Sequence, residues 1–226
     1  MTKTNSKKAL LSSAFALVLS VAMLIGTTFA WFTDTASTGV NKIQAGNLDV
    51  KLMYSTDMVT WKEATDQTKL FNDNALWEPG YTQVVYLKVV NAGNLALKYE
   101  TGFSKNYTSN RGKNVNGDWY RVDNYLKIGT AETETKFANR EAVWAAVAAT
   151  EKTLSKDVML TDEWITLEAG KASKPFAVAI YMPTSVGNEA NASRLRPSSV
   201  SGLGIEVRAT QATVENDSFG TDYDAN

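Results

Sequence analysis

The sequence predicts a mainly β protein: a two-sheet, jelly-roll-like sandwich with one inserted α-helix, preceded by a signal peptide. Three observations carry that expectation. Several short runs alternate apolar and polar residues between Gly, Pro and Asn turns. Only one stretch, near residues 139–152, has helical spacing. The chain has 226 residues and no cysteine, so it is long enough to bury a sizeable core by packing alone. The expected organisation is a signal peptide over 1–30, an exposed N-terminal segment over 31–45, a β-sandwich over 46–214 and an acidic flexible tail over 215–226.

Lys3, Lys7 and Lys8 form a positive region, followed by an uncharged apolar run from Ala9 to Gly26 and then Thr28-Phe29-Ala30. This is the layout of a secretory signal, with small residues at the −3 and −1 positions for a cut between Ala30 and Trp31. The apolar run also reaches the lower limit for an uncleaved anchor. Ser12, Ser13 and Ser20 dilute it, however, and no basic stop-transfer cluster follows. A mature terminus that opens on Trp31-Phe32-Thr33-Asp34 must bury two aromatics on its own sheet or offer them to another subunit.

Leu48, Val50, Leu52 and Tyr54 alternate with Asp49 and Lys51, which predicts a half-buried strand, with Met58 to Lys62 as its hairpin partner. Glu78-Pro79-Gly80-Tyr81 reads as a type II turn. Tyr81 to Asn91 is apolar on both faces and predicts an interior strand. Asn91-Ala92-Gly93-Asn94 then predicts a hairpin to the strand carrying Leu95, Leu97, Tyr99, Thr101 and Phe103. Lys105 to Asp118 reads as a mobile loop, and Trp119 to Ile128 as a further strand. Asn139 caps a helix to about Lys152 with Val143, Trp144, Val147 and Ala148 on one stripe. Glu163 to Leu167, Phe176 to Met182 and Leu203 to Thr213 are the later strands, with Glu206 and Arg208 facing outward from the last. Pro183 to Gly202 is a loop long enough to be functional. Trp61, Trp77, Trp119, Trp144 and Trp164 are assigned to core or sheet-face packing.

With 23 basic and 24 acidic residues and no histidine, the chemistry is restricted. Ser-His-Asp triads, Cys-His pairs, HExxH zinc sites and iron–sulfur ligation are excluded. Removing the three leader lysines leaves 20 basic against 24 acidic residues, a net charge of −4. No basic stripe runs along the sequence, so nucleic acid is not an expected partner. The acidic tail lacks the spacing of a calcium loop. No catalytic residue, metal ligand or cofactor is expected.

Three blocks carry a family resemblance: GTTFAWFTDTAS with AGNLDVKL, LWEPGYTQVVYLKVVNAGNLALKYE, and YMPTSVGNEAN with IEVRATQATVENDSFG. In order and spacing they resemble the TasA/camelysin family of exported Gram-positive proteins, whose signals are cut by a SipW-type signal peptidase. The resemblance implies a jelly-roll-like sandwich, a secreted or cell-surface location and, from TasA, assembly into biofilm-matrix fibres. It also implies, from the camelysin branch, a metallopeptidase, for which this chain lacks histidine ligands.

The leading expectation is therefore an exported structural subunit that forms a homo-polymer by β-strand addition. The segment to pair with a neighbour is Trp31, Phe32, Thr33 and Asp34 through Val40 to Ile43, and the membrane is met only transiently, through the signal peptide. The other readings are a divalent-metal-dependent surface peptidase and a monomeric adhesin that uses Lys105–Asp118 or Pro183–Gly202.

Overall fold

The computed structural model describes residues 15–18, 33–37, 48–72, 75–103, 106–156 and 158–212. Ala30 and Trp31, expected to flank a cleavage, then Phe32, Val40, Ile43 and the tail, lie outside the described residues. Of residues 1–32 only 15–18 are described, and they are helical. Among the described residues no helix is long and apolar enough to cross a membrane.

In chain order the elements are β1 (Thr33–Ser37), β2 (Val50–Ser55), β3 (Lys62–Glu63), β4 (Thr82–Asn91), β5 (Leu97–Phe103), β6 (Thr108–Ser109), β7 (Gly112–Lys113), β8 (Trp119–Tyr120), β9 (Lys127–Glu132), α1 (Arg140–Val147), β10 (Lys152–Thr153), β11 (Ile165–Leu167), β12 (Phe176–Tyr181), β13 (Val200–Ser201) and β14 (Ile205–Gln211). A four-stranded sheet runs β1-β14-β5-β11 and a six-stranded sheet runs β10-β9-β12-β4-β2-β3. Each pairing within them is antiparallel. All these strands begin after Trp31, as does every residue of the core cluster described below.

Alternation explains which faces meet. Leu52, Val85, Leu87, Val89, Val178 and Ile180 of the larger sheet join Leu97, Tyr99, Ile205, Val207 and Ala209 of the smaller one in a single buried cluster. The result is a mainly β, sandwich-like pair of antiparallel sheets. Burying each large apolar side chain there contributes about 1.5–3 kcal/mol. The other face of β12 and β4 is covered by α1: Val143 and Val147 pack with Ala179 and Tyr181, and Val84 lies against them. An interior strand with two apolar faces is thus covered on both sides, as its sequence implies.

The type II turn forms as expected, with Tyr81 N donating to Glu78 O at 2.9 Å and Gly80 at φ 88°. Asn139 caps α1 through Oδ1, which accepts from Ala142 N at 2.9 Å.

Several expectations are corrected. β4 and β5 do not form a hairpin, because β4 lies between β12 and β2 while β5 lies between β14 and β11. The chain crosses from one sheet to the other, and the fully buried Asn91 organises the crossing. Its Nδ2 donates to Leu95 O at 2.8 Å and to Leu167 O and Glu168 O at 3.1 Å, while Oδ1 accepts from Gly93 N at 3.0 Å. Asn91 therefore ties the segment after β4 to β11 rather than closing a two-strand turn.

The helix stops at Val147, a 3-10 turn follows over Ala148–Thr150, and Ala148 is exposed. Lys152 begins β10 instead of ending the helix. The partner of β2 is Lys62–Glu63, reached through a turn in which the Asp57 carboxylate accepts from Val59 N at 2.9 Å and Thr60 N at 2.8 Å. Residues 119–128 divide into β8, a 3-10 turn over Val122–Tyr125 and the start of β9. Glu206 is buried, its carboxylate 3.4 Å from Arg208 Nε.

Candidate functional site

Three features have the geometry of a site. The first is the rim of the four-stranded sheet. β1 lies along β14 in the register Thr33↔Thr210, Asp34↔Ala209, Thr35↔Arg208, Ala36↔Val207 and Ser37↔Glu206. Thr33 and Asp34 are therefore placed on the chain's own sheet. The TDTAS sequence of this strand carries no large apolar residue. Main-chain hydrogen bonding is what such a sequence offers, and it needs no particular side chain. On β14, Ile205, Val207 and Ala209 point into the core, and Arg208 bridges Glu100 and Glu206 at 3.4 Å each.

The second feature is a cleft of about 890 Å³ between the sheets, beside β11. Tyr99, Leu160, Ile165 and Phe176 supply its apolar surface, and Thr130, Thr150 and Ser173 supply hydroxyls. Burial raises the Tyr99 phenol above its ordinary value, against a hydrogen bond with Ser173 that lowers it. Glu132 and Asp162 at its border are held by Lys174 at 3.2 Å and Lys152 at 2.7 Å. The hydroxyls are already engaged, since Thr150 Oγ1 donates to Thr130 O at 2.7 Å and Ser173 Oγ to Lys174 O at 3.0 Å. Among the described residues no group of three or more acidic side chains is set to hold a metal ion.

The third feature joins the two segments read as separate loops. Lys105–Asp118 is not a free loop where it is described: β6 pairs with β13, β7 pairs with β8, and Lys113 N donates to Arg196 O at 2.8 Å. Ser193 N returns the bond to Lys113 O at 2.8 Å, and Val115 N donates to Asn191 O at 2.9 Å. Gly112 permits this approach, since a Cβ there would lie 2.2 Å from Ser198 N. Beneath, the buried Asp123 accepts from Tyr107 OH at 2.8 Å and Ser109 Oγ at 2.7 Å. Burial, and then that bond to Asp123, push the Tyr107 phenol well above its usual range.

On top of this crown Trp119 is 51 % exposed, with Arg111, Lys113 and Arg196 over its ring at 5.1, 5.2 and 5.8 Å from the centroid. Trp119 and Trp164 thus depart from the expected packing role. Trp77 packs against the core and Trp144 stacks on Tyr181 at 5.3 Å. Sequence reasoning missed the crown because its cations come from segments more than eighty positions apart. The clue was a local basic bias, Arg111, Lys113, Arg121, Arg194 and Arg196, in a chain whose net charge is −1.

No protein-family model matches the chain, and neither the curated proteins nor the solved structures give a significant match to it.

Proposed function

We propose that the chain is an exported structural protein of the cell surface or biofilm matrix, a subunit of fibres that grow by exchange of the N-terminal strand. The observation that carries this reading is the seating of Thr33–Ser37 on β14, with partners some 170 positions away in sequence and no hairpin between them. A strand held at a sheet rim by main-chain bonds is the kind of element that one copy lends to the next. In the fibre, β1 of each subunit covers β14 of its neighbour in the same register, leaving that subunit's own β14 to the copy before it. The contact is head-to-tail and does not close, so it propagates.

Cleavage between Ala30 and Trp31 by a SipW-type peptidase is the proposed trigger, since a leader held in the membrane keeps β1 from reaching a neighbour. Trp31 and Phe32, then Val40 and Ile43, extend the exchanged segment on either side of β1. A jelly-roll arrangement is the proposed topology, supported by the crossing of the chain between sheets from β4 to β5.

The test compares protein beginning at Trp31 with protein beginning at Val40, by size-exclusion chromatography and negative-stain imaging. Filaments are expected from the first, and folded monomers from the second. Filaments of equal length from both would remove the N-terminal segment from the mechanism.

A further inference from the structure

We infer that the crown around Trp119 is a docking surface for an anionic lipid bilayer, a role separate from fibre growth at the β14 rim. Two properties coincide there. The first is charge: Arg111, Lys113 and Arg196 surround one ring, and among the described residues none of the three is in an ion pair. Like charges gathered this closely repel one another until an anionic surface neutralises them. A guanidinium held against an aromatic ring keeps its N–H groups free for phosphate oxygens.

The second property is apolar exposure at the tips of the same two turns. Leu195, between Arg194 and Arg196, is 90 % exposed, and Val115 is 54 % exposed. The bonds of Lys113 to Ser193 and Arg196, and of Val115 to Asn191, hold these tips side by side with Trp119. A hydrated acidic polymer would answer the charges but offers nothing to Leu195 and Val115. A membrane interface answers both: anionic head groups meet the arginines, while tryptophan and aliphatic side chains enter the boundary beneath. The acidic side chains at the crown are few. Asp118 is exposed in the turn before Trp119, Glu189 is turned back onto Gly187 N at 2.9 Å, and Asp123 is buried under its two donors.

The test is flotation of the chain from Trp31, which retains every strand and the whole core cluster, with two kinds of vesicle in a density gradient, where filaments without bound vesicles stay at the bottom. Equimolar phosphatidylcholine–phosphatidylglycerol vesicles are expected to bind it, and phosphatidylcholine vesicles are not. Arg111→Gln, Arg194→Gln and Arg196→Gln together are expected to weaken binding about a hundredfold, at about fivefold per cation. The pair Val115→Asn and Leu195→Asn, at exposed positions that do not contribute to the core, is expected to weaken it about tenfold or more. The control Lys136→Gln with Lys156→Gln leaves it unchanged.

Equal binding to neutral vesicles, or no binding to either, overturns the inference. So does polygalacturonate binding that matches the anionic vesicles and ignores the Val115 and Leu195 changes, which would make the crown a polysaccharide site. Filament formation by the crown variants is scored separately, so a failure here is distinguishable from a failure of strand exchange.

Discussion

The ladder β4–β12 at the centre of the larger sheet and the ladder β1–β14 at the rim of the smaller one are both antiparallel and similar in length, with six and five residue pairs. They differ in what holds them. β4 and β12 each have a strand on both sides, and Val85, Leu87, Val178 and Ile180 are almost wholly removed from water. β1 has one neighbour among the described residues and a sequence of Thr, Asp, Ala and Ser. Side-chain burial anchors the central ladder, whereas the sequence of β1 has no large apolar residue to bury. β11, the other edge of the smaller sheet, places Leu167 in the core cluster.

The largest effect should come from the central ladder. Leu87→Ala is expected to cost about 2–5 kcal/mol in urea denaturation, through lost burial plus a cavity. A loss near zero would mean that the two ladders are not held differently after all. At the crossing, Asn91→Ala strips the Leu95, Leu167 and Glu168 carbonyls of a buried donor and is expected to cost about 1–3 kcal/mol.

At the rim, Thr35→Pro and Ala36→Pro are a complementary pair. Alternate N–H groups of a strand point to opposite sides, so one of the two prolines removes a bond to β14 and the other does not. The first is expected to lower stability by only about 0.5–1.5 kcal/mol yet to abolish long filaments, while the second retains more of them. Identical filament lengths from both would break the link between this ladder and assembly.

The smallest effect concerns the opposite rim, at the β2–β3 turn. Backbone donors Thr60 and Val59, then the Ser55 hydroxyl, hold the Asp57 carboxyl well below the usual carboxylate range. Because its folded value is depressed, its contribution is complete above the unfolded value of about 4 and disappears as pH falls through the folded one. The difference in Tm between the parent and Asp57→Ala is therefore expected to be constant near neutrality and to narrow in acid. A gap that widens on acidification would contradict that sign.

Much of the fold was legible because it rests on local periodicity. The strand with Leu48, Val50 and Leu52, the two-faced strand through Val85 and Leu87, the Pro79-Gly80 turn and the Asn139 cap each follow from residues within one turn or one pleat of each other. The β4–β5 hairpin was misread for a physical reason. Asn91-Ala92-Gly93-Asn94 specifies that the chain bends, but whether it bends within a sheet or across to another depends on which strands stand beside it. β12, β2, β14 and β11 occupy those places, and no local signal names them. The crown was missed in the same way, since Trp119 and Arg111 lie close in sequence but Arg196 is brought to them by the main-chain bonds of Lys113 with Ser193 and Arg196.

By itself the sequence determined the β class, the composition that excludes histidine and cysteine chemistry, and the position of α1. It did so because alternation, capping and residue inventory are local or global counts that require no partner. Only the tertiary structure decided that Thr33–Ser37 lies against Ile205–Gln211, that Asn91 bridges two sheets, and that cations from two distant loops meet on one exposed tryptophan. Each of these is a contact between segments far apart in the chain, set by which sheet edges are left open once the core has packed.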